Sequence, residues 1–202
     1  MRAFFFLAVL LFTSSAFAAE VGPAHRLQPG EVLRGHFDQT HYMKNATKPV
    51  ESEGHFVLAP DYGLIWAMEK PIPITFVVTA AGMTQAVGGV PLFHEDATRA
   101  GTFIRLVGMV TDVMGGNWDS VGKNFVVQSS GDHRKWTVKI TPKPATDAEK
   151  VMKLVTVNGA ERVEGAKLIE QSGSEDKITF TNQTITKGKP TAEEEALFNK
   201  VY

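Results

Sequence analysis

Residues 54–85 run GHFVLAPDYGLIWAMEKPIPITFVVTAAGMTQ, and their period of two decides the fold class. Phe56 and Leu58 share one face of a strand that ends at Pro60-Asp61-Tyr62-Gly63, residues suited to a tight turn. Leu64, Trp66 and Met68 form the next apolar face, punctuated by Pro71 and Pro73. Ile74, Phe76 and Val78 begin a further strand, and Gly82 turns the chain into Met83-Thr84-Gln85. Upstream, Leu33, Gly35, Phe37 and Gln39 alternate with Arg34, His36, Asp38 and Thr40, and the polar stretch 45–52 reads as a turn. Consecutive strands joined by such short turns pair antiparallel, because a parallel crossover needs a dozen residues or more.

Downstream the rhythm changes. Over 95–114, Phe103, Leu106, Val107, Val110 and Met114 recur at helical spacing, with Gly115-Gly116 as a stop signal. This predicts one amphipathic helix and then a plain connecting loop. Two-step alternation resumes after it: Trp136, Val138 and Ile140 oppose Lys135, Thr137, Lys139 and Thr141. Further strands are expected over 124–129, 153–157, 162–170 and 177–185. After Pro190, the run Thr191-Ala192-Glu193-Glu194 is a capping box opening a short helix through Leu197, Phe198 and Val201. The sum is a mainly β domain with added α-helix. No repeat or composition step divides it.

The N-terminus predicts export. Met1-Arg2 supplies positive charge, 3–12 is apolar, and Ala16-Phe17-Ala18 is the small-x-small pattern read by signal peptidase. Cleavage is expected after Ala18, leaving a single domain over 19–202. The 202 residues contain no cysteine, so disulfides, thiolate metal sites and a lipid-modified cysteine are excluded. With 21 basic and 22 acidic residues and no basic cluster, nucleic acid is not an expected partner.

The residues of catalysis are present without its spacing. His36 and His41 fall on opposite faces of a strand, and His25, His55, His94 and His133 show no HxH or HExxH pattern. Ser129, Ser130, Asp132 and His133 lack a GxSxG elbow. The glycines between Gly115 and Gly122 come after a helix and do not match a phosphate loop. No enzyme activity, metal or cofactor is expected.

In order and punctuation, residues 54–85 resemble the periplasmic LolA-like family, the outer-membrane lipoprotein carriers. Gly54 and Phe56 open a strand, Pro60 makes the turn, Leu64 and Trp66 form the apolar-x-Trp strand, and Pro71 and Gly82 bracket the next one. Phe37-Asp38-Gln39 is similar to the strand that opens the family's sheet. The resemblance implies a strongly curved, half-open antiparallel β-barrel covered by helices, with an apolar hollow between. It implies a soluble periplasmic carrier that shields the acyl chains of lipoproteins or another lipid. The implied partners are an inner-membrane release complex and a lipid-anchored acceptor at the outer membrane; a monomer is expected.

On the paired apolar stripes and this resemblance, the expected lipid-binding residues on the sheet are Leu33, Phe37, Phe56, Leu58, Leu64, Trp66, Met68, Phe76, Val78, Met83, Trp136 and Val138. The helix contributes Phe103, Val107, Val110 and Met114, and its methionines, Met109 included, suit irregular guests. Two features depart from the family pattern. Ala59 stands where the carriers usually have an arginine that latches the lid, and Pro23 and Pro29 interrupt a shortened N-terminal segment. These leave open a specialised lipid-binding relative serving one biosynthetic pathway, or a periplasmic protein-binding or sensor domain on the same scaffold.

Overall fold

The computed structural model describes residues 25–96, 101–132 and 134–201; at 93, 95, 96 and 101–107 it describes the backbone alone. The expected signal peptide lies outside these residues. A first meander comprises β1 (Glu31–Tyr42), β2 (Val50–Ala59), β3 (Gly63–Lys70), β4 (Ile74–Val78), β5 (Gly82–Val87) and β6 (Val90–Asp96). Helices α1 (Gly101–Met114) and α2 (Trp118–Asn124) come next. A second meander holds β7 (Phe125–Asp132), β8 (Lys135–Pro142), α3 (Asp147–Val151), β9 (Met152–Gly159), β10 (Val163–Glu170) and β11 (Glu175–Lys187), and α4 (Ala192–Phe198) comes last.

All the described strands join one antiparallel sheet in the order β6-β5-β4-β3-β2-β1-β11-β10-β9-β8-β7. The β1–β11 ladder joins the two meanders, running from Glu31↔Lys187 to Tyr42↔Glu175. Edges β6 and β7 do not pair, so the barrel stays open. Yet α1 and α2 lie between those two edges in sequence. The larger core gathers side chains of β1–β3 and of β7–β11 around α1 and α2, so the sheet curls and α1 packs on its concave face. Bulges between Arg34 and His36, Glu53 and Gly54, and Ile169 and Glu170 sharpen the local twist.

The larger core fills part of the concave face. Phe37 stacks on Trp66 at 3.9 Å, while Phe180 meets Phe56 edge-on at 5.6 Å. Gly35 makes this possible. It pairs with Phe56, and a Cβ there would lie 2.7 Å from the Phe56 ring. Met109, Val113 and Met114 of α1 and Val121 of α2 complete this core with Trp136, Val138 and Ile140. At the start of α2, the Asn117 side chain ties back to Asp112 at 2.9 Å.

A second core lies on the other side of the sheet, under α4. Phe198 and Val201 pack with Val32, Val57, Ala59, Ile65 and Val77. The expected capping box is present: the Thr191 side chain accepts from the Glu194 N–H, and the Glu194 side chain accepts from the Thr191 N–H. Arg34 then grips Glu194 with two bonds, Nε at 2.7 Å and Nη2 at 2.6 Å. Arg34 is the main reason the Glu194 carboxyl is held below the usual carboxylate range.

Three expectations change. Residues 95–96 belong to β6 and not to a helix, because Gly88-Gly89, both with positive φ, turns β5 back on a sixth strand. The loop expected after Gly116 contains α2, which buries Val121 despite its glycine. The turn expected over 45–52 ends early, since Val50 already pairs with His41.

Two substitutions probe these contacts. Gly35→Ala drives a methyl into the Phe56 ring and costs about 1–3 kcal/mol, read from denaturant midpoints. Glu194→Gln loses the charged half of the α4 clamp and about 1 kcal/mol at pH 7. A carboxylate with a lowered folded pKa stabilises above the ordinary carboxylate range and loses that contribution as pH falls through the folded value. The gap in melting temperature between wild type and Glu194→Gln therefore closes on acidification below about pH 4.5.

Candidate functional site

Beyond the aromatic cluster, the concave face is not filled. A cavity of about 570 Å³ lies between α1, α3 and the inner faces of β9, β10 and β11, within the ~300–1,000 Å³ range of ligand sites. The register explains its walls. Ile178 pairs with Ala166, Ala166 with Val157, and Leu168 with Val155, so successive strands point apolar side chains the same way. Val155, Ala166, Leu168 and Ile178 line the sheet side, and Met109, Val110 and Met152 come from across it. Leu168 and Ile178 are only half-buried, which leaves apolar surface uncovered. A hollow of about 590 Å³ beside α4 mixes Val77, Leu92 and Leu197 with Thr75, Thr84, His94 and Lys200 in its wall.

The rim is polar. Asp176, 8% exposed, lies opposite His41 in the β1–β11 ladder, and its Oδ1 is 2.9 Å from His41 Nδ1. Gln39 Nε2 donates to the same Oδ1 at 2.8 Å. Glu170 stands at the end of β10, and one ligand atom each of His41, Glu170 and Asp176 lie within 4.8 Å of one another. Such a set could hold a divalent cation. Sequence spacing hid it, because the three residues come from three strands.

The structure distributes the expected lining residues unevenly. Val110 is in the cavity wall. Leu33, Phe37, Phe56, Leu58 and Leu64 are buried in the larger core with Met114, Trp136 and Val138, and Trp66 and Met68 are half-buried against it. Phe76 is half-buried, and Val78 and Met83 are buried on the β4–β5 side. Phe103 and Val107 carry side chains outside the described residues. The expected lining omits Val155, Ala166, Leu168 and Ile178, for which the two-step alternation of the last three strands is the available signal.

A curled, open antiparallel sheet with helices against an apolar hollow is a carrier-type fold. The chain belongs to the family of the outer membrane lipoprotein carrier protein LolA, whose model matches residues 30–194. A LolA superfamily protein from Nitrosomonas europaea is similar in structure, with a TM-score of 0.45 at 10% identity over 84% of this chain and 91% of that one. The Pseudomonas aeruginosa MucA/MucB complex gives 0.42 at 8% identity, covering 81% and 54%. A Vibrio parahaemolyticus domain described as outer membrane lipoprotein-sorting gives 0.42 at 11% identity, covering 87% and 92%. Comparison with curated protein sequences finds no match. No helix among the described residues is long and apolar enough to cross a membrane.

Met109 lines both this cavity and a neighbouring one of about 430 Å³. Met109→Ala removes the side chain common to both walls. Across a series of fatty alcohols, the length bound best is expected to increase by several carbons, measured by calorimetry.

Proposed function

We propose that this protein is a soluble periplasmic carrier that shields the acyl chains of lipoproteins, or of another lipid, in the cavity bounded by α1 and β9–β11. The observation that carries this reading is the apolar, unfilled volume of about 570 Å³ beside a packed aromatic core. Each methylene withdrawn from water is worth about 0.8 kcal/mol, so even a short stretch of hydrocarbon in that space gives useful affinity. Release needs a wall that yields, and Met109 and Met152 supply flexible side chains for it. Phe37, Phe56 and Trp66 hold the sheet's curvature, while the half-buried faces of Trp66, Met68 and Phe76 extend the apolar track for a longer chain. Export by the N-terminal segment, cleavage after Ala18, one mature domain and a monomeric state belong to the same reading. So do an inner-membrane donor and an outer-membrane acceptor.

A specialised relative, carrying lipid for one pathway, is favoured by one position. Ala59 is 2% exposed and packed with Phe198 and Val201 on the face opposite the hollow. A family latch arginine has no room there.

Mass spectrometry of organic extracts from the purified protein tests carriage, with an empty-vector preparation as control. Bound acyl lipid is expected. In parallel, Leu168→Glu places a charge in the wall and is expected to lower uptake of an apolar fluorescent probe at least tenfold. Unchanged uptake by a folded Leu168→Glu protein refutes this cavity as the binding site.

A further inference from the structure

The rim of the cavity carries more chemistry than a hydrocarbon tail requires. Asp176 is buried, and its Oδ1 is occupied by Gln39 and His41, at 2.8 and 2.9 Å. Among the described residues no donor is bonded to Oδ2, and Asp176 forms part of the cavity wall. Oδ2 is thus free to take a charge-assisted hydrogen bond from a guest in the cavity. Glu170 adds a second carboxylate to the same wall. Lys150, the lysine of that wall, is turned to Asp147 at 3.0 Å and is not placed to neutralise them.

We propose that the cavity selects amphiphiles by head group, with Asp176 and Glu170 receiving a primary ammonium while the apolar walls hold the chain. This rests on the carrier reading and adds the class of guest. Oxygens up to 4.8 Å apart can both reach one ammonium nitrogen at about 2.8 Å. Gln39 and His41 act as positioning residues: their bonds to Oδ1 fix the Asp176 carboxylate and leave Oδ2 for the guest. An anionic phosphate or carboxylate head group meets like charge at the same rim and is disfavoured.

Calorimetry at pH 7 with EDTA, below micelle-forming concentrations, tests this with dodecylamine, dodecanol and dodecyl phosphate. The amine is protonated under these conditions, and the alcohol reports chain binding alone. Dodecylammonium is expected to bind at least tenfold tighter than dodecanol, and dodecyl phosphate more weakly than either. In Asp176→Asn, and separately in the rim variant Glu170→Gln, the amine-to-alcohol affinity ratio is expected to fall to within threefold of one. The ratio is internal to each variant, so a change in overall affinity does not obscure it. Equal affinities for all three probes overturn the head-group proposal and leave the carrier reading standing. Failure of dodecanol itself to bind overturns both. A zinc titration without EDTA is the remaining arm: tight binding lost in Asp176→Asn, with no amine preference, makes the cluster a metal site and overturns the proposal.

Discussion

The long antiparallel ladder between β1 and β11 is the contact on which the rest depends. It joins strands nearly a whole domain apart in sequence, from Glu31↔Lys187 to Tyr42↔Glu175. Without it there are two meanders, each a short sheet with an exposed apolar face. With it there is one sheet whose two halves share a core around α1 and α2. The sheet curls to close that core, and the bulges supply the local twist that accommodates it.

Curvature creates a concave side, and the side chains decide how much of it stays open. On the seam and the first meander the residues are large and aromatic. Phe37, Phe56, Trp66 and Phe180 close on one another, and Gly35 supplies the space for a ring to lie across its neighbour. On the second meander the corresponding positions are Val155, Ala166, Leu168 and Ile178. They pack against the same core but leave a hollow between the sheet and α1.

The opposite face is managed separately. Helix α4, through Phe198, and Val201 just beyond it cover β2, β3 and β4, and the Arg34–Glu194 pair fixes the helix's N-terminal turn. That face therefore uses its apolar residues to dock a helix. Ala59 belongs to it and packs with Phe198 and Val201.

Much of this is readable in residue order. Alternation at 33–40, 56–58, 64–68 and 74–78 predicts an antiparallel meander, and Thr191 with Glu194 predicts a capped terminal helix, because both signals are local and steric. Strand β6 and helix α2 escape that reading where glycine pairs serve as a hairpin and a helix boundary, two uses with one spelling. The cavity and its rim cannot be read this way. Periodicity says which side chains share a face, and it cannot say which faces fill. His41, Glu170 and Asp176 stand on three strands, and only the register that aligns β1, β11 and β10 brings their ligand atoms within 4.8 Å. Sequence alone determined most of the strands, their inward residues and the final helix, through local backbone and hydropathy rules. Tertiary structure decided where the hollow is and what surrounds it, because void and rim arise from pairings between distant segments.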